Sequence, residues 1–200
     1  MRLGIVSDIH CNIASLDMAL ARMGHVDEVL CAGDAIFQFR FSNEVIGRLK
    51  EIGAHLVLGN HEEVVLGRGG QRVREQPDVD QDLLKWLAER PTRIDTVIGG
   101  KRITMFHGSH RDCGEYVYPH NAVMKEFGNL GADYVIHGHT HCAMTHQVNG
   151  TLVINPGSAG QPRDPWNGFR SSYAILDTQS GEVTFDVYDD PVHKPNSVTS

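Results

Sequence analysis

The chain has 200 residues, 40% hydrophobic and 22% charged, with a formal net charge of -7. That size and composition suit one soluble globular domain with a real core, and the acidic balance argues against gripping a nucleic-acid polymer through bulk charge. No apolar run is long enough to span a bilayer, and the first one meets Asp8 too soon for a signal peptide, so a cytoplasmic protein with no membrane contact is expected.

From the N-terminus, Leu3 to Ser7 predicts a short buried strand. Asp8-Ile9-His10-Cys11-Asn12 follows, with Asn12 placed to cap a helix whose spaced apolar positions run from Ile13 to Met23 and whose stop is Gly24. A second strand, Val29 to Ala32, ends in Gly33-Asp34, and a helix is expected over Asn43 to Ile52 with Val45, Ile46 and Leu49 inward. His55 to Leu58 predicts a third strand, closed by Gly59-Asn60-His61-Glu62. The polar, glycine-rich stretch from Gly67 to Pro77 reads as an exposed loop. Asp82 to Arg90 reads as a helix on Leu83, Leu84, Trp86 and Leu87. Thr92 to Ile98 and Arg102 to Phe106 flank Gly99-Gly100 as a hairpin, and the second arm runs into His107-Gly108.

Ser109 to Pro119 is a loop carrying His110 and Arg111, Asn121 to Phe127 a short helix, and Tyr134 to His137 a strand. Ala143 to Val148 and Thr151 to Ile154 pair across Asn149-Gly150. The stretch from Asn155 to Asp164 is a loop by its Gly and Pro content, and Tyr173 to Leu176 and Val183 to Tyr188 are closing strands. One domain over residues 1–188 is expected, with a loose polar tail over 189–200. Early strands alternating with helices and later strands pairing as hairpins predict an α/β (α+β) chain of mixed sheets covered by helices.

The chemistry sits at strand ends. Val135-Ile136-His137-Gly138-His139-Thr140-His141 places three histidines at alternate positions, which share a face if the extension persists. On that stretch alone a His tripod around one metal competes with one buried histidine and two exposed ones. Taken with the rest of the chain, five apolar runs end in metal-competent residues: Asp8 and His10, Asp34, Asn60 and His61, His107, and His139 and His141. Ligands of open α/β sheets bind outside the carboxyl ends of the strands. Two carboxylates, an amide and several imidazoles are too many donors for one open catalytic ion, and suit two ions about 3.5–4 Å apart that share a carboxylate and a bridging hydroxide. Asp34, the lone carboxylate on its loop, is the natural bridge. Oxygen and nitrogen donors suit Mn, Fe, Co, Ni or Zn, with manganese the first expectation. Cys11, Cys31, Cys113 and Cys142 lie far apart and read as reduced, mostly buried thiols.

Asp8-x-His10, Gly33-Asp34, Gly59-Asn60-His61-Glu62, His107 and Gly138-His139-x-His141 resemble the calcineurin-like metallophosphoesterases, in order and spacing, from Leu3 to about Ser158. The Asn155-Pro156-Gly157-Ser158 loop is similar to that of the small bacterial and archaeal phosphodiesterases of that superfamily. The resemblance implies a four-layer sandwich of two mixed β-sheets flanked by helices. It implies that Asp8, His10 and His141 hold one divalent ion and that Asn60, His107 and His139 hold another. Asp34 bridges the two, and His61 serves as general acid or phosphate contact beside Asn60. His139 and His141 then serve different ions, and His137 stays in the strand.

The function so implied is a dinuclear phosphoesterase acting on a small phosphoester, a phosphodiester first. A phosphomonoesterase or nucleotide pyrophosphatase on the same site is the alternative, and a non-catalytic scaffold reusing the fold is a further one. A homo-oligomer is left open. Gly33-Asp34 is followed by Ala35-Ile36-Phe37 where the family's protein phosphatases carry Arg-Gly, so that class is disfavoured. The Ile36, Phe37 and Phe39 segment reads as core before pocket, and the Glu62 position as one of little consequence. Arg163 is the candidate phosphate clamp, set against the default of a solvated loop residue. His25, His55, His120, His146 and His193 read as plain residues.

Overall fold

The computed structural model describes residues 1–192. Strand β1 (Arg2–Val6) runs into a turn that Asn12 ends by capping α1 (Ile13–Met23): its Oδ1 accepts the Ser15 N–H at 3.1 Å. Then come β2 (Glu28–Cys31), α2 (Asn43–Glu51), capped by Ser42 Oγ, and the two-residue β3 (His55–Leu56). Next are α3 (Asn60–Leu66), a 3-10 turn over Arg68–Gly70, α4 (Gln71–Arg74) and α5 (Gln81–Ala88). Strands β4 (Arg93–Ile98) and β5 (Lys101–Phe106) follow, then α6 (Ala122–Phe127), β6 (Tyr134–Ile136), β7 (Ala143–Val148), β8 (Thr151–Pro156), β9 (Ser171–Asp177) and β10 (Val183–Tyr188).

These strands build two five-stranded sheets, ordered β10-β9-β1-β2-β3 and β4-β5-β6-β8-β7. Each is mixed. β1, β2 and β3 are parallel in the first, and β5, β6 and β8 are parallel in the second. Alternation along β1 explains the layering: Leu3 and Ile5 point between the sheets, whereas Val6 faces the helices. The inter-sheet core holds Leu3, Ile5, Leu30, Val57, Met105 and Ile136; α1, α2 and α5 cover the first sheet, and α6 covers the second through Met124 and Phe127. The result is the four-layer sandwich. Among the described residues no helix is long and apolar enough to cross a membrane.

Three expectations change. The stretch over 67–77 is mostly exposed as expected but is not a plain loop: it is helical from Arg68 to Arg74, entered through α3, with Gly70 and Val73 buried. It carries no apolar lead in sequence because α3 starts on the polar motif itself: the Glu62 carboxylate accepts the Gly59 N–H at 2.7 Å and stands in for a cap. The Ile36–Phe39 segment splits, with Ile36 buried, Phe37 half-buried and Phe39 exposed. The tail expected from Asp189 is not loose at its start, since the Asp190 carboxylate accepts from Asn12 Nδ2 at 2.8 Å. The rest of that tail, His193 included, lies outside the described residues.

Candidate metal centre

The parallel strands of both sheets bring their carboxyl ends to one place, and the loops there are locked to each other by backbone bonds. Asp8 N–H donates to Gly33 O, His10 N–H to Asp34 O and Cys11 N–H to Ala35 O, each at 3.0 Å. Ser158 Oγ donates to the Asp8 carbonyl at 2.7 Å, and the His139 N–H donates to Asp8 Oδ2 at 3.0 Å, tying the second sheet to the first. The turns are tight. Asp8, His10, Cys11, Asp34, His139 and His141 all have left-handed backbones, with φ between 48° and 66°. Such a conformation costs a non-glycine residue about 1–3 kcal/mol and persists where the surroundings enforce it. It also ends the premise of an extended His137–His141 stretch: β6 stops at Ile136, and the three rings part company.

Donor atoms gather in three overlapping groups: Asp8, His10 and His141; His10, Asp34 and His61; Asp34, His107 and His139. Within each group the atoms lie within 4.8 Å of one another. Asp8 Oδ1 is 3.2 Å from His141 Nε2, and His10 Nε2 is 3.3 Å from His141 Nε2. Asp34 Oδ2 is 3.2 Å from His107 Nε2 and 3.6 Å from His61 Nε2, while His139 Nδ1 is 3.2 Å from His107 Nε2. Asn60 opens α3 between two residues that touch Asp34. The His61 N–H donates to Asp34 Oδ1 at 3.0 Å, and a Cβ on Gly59 would sit 2.2 Å from that same oxygen, so only glycine admits the approach.

The far nitrogens of the histidines decide which lone pairs face inward. A carbonyl can only accept, so the nitrogen beside it carries the proton. His107 Nδ1 meets Ala32 O at 2.7 Å, His139 Nε2 meets Gly114 O at 3.0 Å and His141 Nδ1 meets Gln161 O at 2.5 Å. In all three rings the nitrogen turned inward, toward Asp34 in His107, toward Asp8 in His141 and toward His107 in His139, is therefore the one with a free lone pair in the neutral form, which is how metal-ligating histidines are held.

Electrostatics agree. Burial lowers His10 to about 4, against the pull of Asp8. Burial and the neighbouring His107 lower His139 to about 4. Both are neutral at pH 7, the ligating form. Burial pushes Asp8 and Asp34 up, but His141 and His107 outweigh it at Asp8, and His107 outweighs it at Asp34, so both carboxyls stay ionised below the usual range. The two buried anions call for positive charge, and they draw His107 up to about 10 although burial alone pushes it down, with Asp34 the stronger of the two. A divalent pair answers the same demand. The fit shows in the orphaned atoms: Asp8 Oδ1 and Asn60 Oδ1 are buried and meet no hydrogen-bond partner in the protein. A lone pair so stranded costs about 1–3 kcal/mol unless something takes it up.

The remaining histidines and arginines fall outside these groups. His137 is buried with both ring nitrogens unpartnered, and burial lowers it to about 3. His110 and Arg111 both face Glu126 on α6. Arg163 lies outside the donor groups and donates to Gln161 Oε1 at 2.6 Å, near enough to His61 to add to the lowering of its pKa, which burial leads.

Two residues carry more than sequence reasoning assigned them. Glu62 is fully buried and accepts from Gly59 N–H at 2.7 Å, Asp34 N–H at 2.9 Å and Ile36 N–H at 2.9 Å, so it pins the Asp34 loop to the start of α3. Asn155 Nδ2 donates to Gly138 O at 2.8 Å and Thr140 Oγ1 at 3.1 Å, and its Oδ1 takes the Gly157 N–H at 3.0 Å, clamping the His139–His141 turn. Asn155→Ala strands those groups. A loss of about 1–3 kcal/mol in thermal unfolding and a 10–100-fold fall in metal affinity, measured against a competing chelator, are expected.

The profile of the Calcineurin-like phosphoesterase superfamily domain matches residues 1–181. The chain belongs to that superfamily. It is 27% identical to the uncharacterized protein MJ0912 of Methanocaldococcus jannaschii, over 90% of this chain and 84% of that one. It is 25% identical to the phosphodiesterase MJ0936 of the same organism, over 78% of this chain and 83% of that one. Among solved structures, the metallophosphoesterase from Sphaerobacter thermophilus superposes with a TM-score of 0.81 at 26% identity, covering 96% of this chain and 89% of its own. The superfamily is one of metal-dependent phosphoester hydrolases, and the double sandwich is its fold.

Proposed function

We propose that this superfamily member is a dinuclear phosphodiesterase acting on a small phosphoester. The observation that carries the reading is how the rings are held: His107, His139 and His141 each give the outer N–H to a carbonyl, which leaves His107 Nε2 facing Asp34, His141 Nε2 facing Asp8 and His139 Nδ1 beside His107 Nε2. Asp8, His10 and His141 are assigned to one divalent ion and Asn60, His107 and His139 to a second, with Asp34 common to both. Ions held there would neutralise phosphoryl oxygens and make water acidic enough to attack at neutral pH.

His61 has a narrower role than full proton donor. The Gln38 N–H donates to its Nδ1 at 2.8 Å, so the neutral ring carries its proton on Nε2, and a second proton on Nδ1 would face a donor. Burial lowers its pKa, against the pull of Asp34. The ring is thus a fixed Nε2–H donor, suited to a phosphoryl or leaving oxygen. The named relative MJ0936, a phosphodiesterase, and the disfavoured protein-phosphatase motif both lean toward diesters.

The test is metal analysis of protein purified without chelator, followed by bis(p-nitrophenyl) phosphate and p-nitrophenyl phosphate with each of Mn, Fe, Co, Ni and Zn restored. Close to two ions per chain and faster diester than monoester cleavage are expected. Faster monoester cleavage would move the assignment to a phosphomonoesterase, and no hydrolysis with any metal would overturn it.

A further inference from the structure

Beside His10 the donor groups give way to an aromatic wall. The Phe37 ring meets His10 edge-on, with centroids 5.9 Å apart, and lies over His61 at 4.9 Å and 31°. A cavity of about 150 Å³ opens there between Phe37, Arg40, Gly160 and Gln161, and a second of about 260 Å³ shares His10 and Arg40 and runs outward past Asn12. Arg40 therefore stands in the wall of both.

Its backbone is fixed. Phe37 N–H donates to Arg40 O at 3.2 Å, Arg40 N–H donates to Phe37 O at 2.9 Å, and Cys11 Sγ donates to Arg40 O at 3.2 Å. Its guanidinium is exposed and, among the described residues, enters no ion pair. Arg22, Arg48, Arg93 and Arg170 each meet a carboxylate. Glu44, the acid that feels Arg40, is turned to Ser42 Oγ at 2.9 Å. An uncommitted cation at the mouth of this site, in a chain of net charge -7, is suited to a bidentate contact with an anion.

We infer that Phe37 and Arg40 form a specificity subsite for a second anionic group: the preferred diester carries a flat ring against Phe37 and a further phosphate on Arg40, as a phosphorylated nucleotide does. The assignment rests on the phosphodiesterase reading for its catalytic meaning, but the subsite can be read without catalysis.

The experiment has two arms. In calorimetry on the metal-loaded protein, thymidine 3′,5′-bisphosphate is compared with thymidine. The bisphosphate is expected to bind about tenfold more weakly to Arg40→Ala, with Arg40→Lys in between and thymidine indifferent to either change. In kinetics, dithymidine monophosphate is compared with the same molecule bearing a terminal 5′- or 3′-phosphate. The unsubstituted protein should prefer a terminally phosphorylated form in kcat/KM, and Arg40→Ala should erase the preference. Equal bisphosphate affinity in the unsubstituted protein and Arg40→Ala, or a preference that survives the substitution, overturns the subsite. Absence of diester cleavage beside an Arg40-dependent bisphosphate affinity would overturn the phosphodiesterase reading and leave the subsite standing.

Discussion

Replacing Asp34 with asparagine is expected to lower diester hydrolysis about 1000-fold, about 4 kcal/mol of transition-state stabilisation, while the apo chain still melts within about 3 °C of the unsubstituted protein. The two halves of that result have separate causes. Asparagine keeps the shape and an oxygen for the His61 N–H, now 3.0 Å from Asp34 Oδ1. It loses the charge that the two proposed ions would share and that His107 faces at 3.2 Å. Burial and the Asp8 repulsion, which both work against ionisation of Asp34, disappear with it and offset much of the lost attraction to His107, so folding loses little. Metal analysis and thermal melts on one preparation check both halves. Full activity with two ions still bound would remove Asp34 from the centre of the site, and a large fall in melting temperature would make the loss structural.

Glu62→Gln is expected to do the reverse, costing about 2–4 kcal/mol of stability, read as a fall of about 4–16 °C in melting temperature for a chain of this size. Three backbone N–H groups converge on the carboxylate, two of them on Oε2. An amide has one acceptor oxygen and must turn its NH2 toward at least one of those donors. Burial, then Asp34, raises the carboxyl to about 7, against the Ile36 and Gly59 N–H bonds and His107. Because Asp34 and Ile36 hang on this residue, the donor groups should loosen too, and metal affinity should fall with stability. A melt within 1 °C of the unsubstituted protein would show the three bonds to be incidental.

The contrast between these two acids marks what was legible in the sequence. Asp34 announces itself as a carboxylate behind a glycine at a strand end, one of five such ends, and the structure draws Asp8, Asp34, His10, His61, His107, His139 and His141 into contact. Glu62 looks like a helix-start residue, and its partners at Asp34 and Ile36 lie 28 and 26 residues away. Nothing local predicts them. The same holds for Asn155, whose meaning depends on Gly138 and Thr140 in another loop. Periodicity found the hairpins at Gly99-Gly100 and Asn149-Gly150, where positive φ at both turn residues suits the two-residue connection. It missed α3 and α4 because their buried face is built from only Glu62, Val65 and Val73, too sparse to show a period. The left-handed backbones at the donor residues were equally hidden, since Asp and His side chains give no warning of a conformation imposed by the loops they meet.

Strand β1 has β2 on one side and β9 on the other, and β9 joins it by pairing Ile5 with Ala174 and Leu3 with Leu176. Asp8 follows β1 after Ser7, and its carbonyl is held by Ser158. The bed under the first donor is therefore finished by a strand translated some 170 residues later, which at about 5–20 residues per second is roughly 8–35 s on the ribosome. Over that interval the nascent chain holds Asp8, His10 and Asp34 without the frame that orders them. The proposed ions would then meet an assembled pocket rather than a growing one, and a ribosome stalled before β9 should yield a chain that binds no metal.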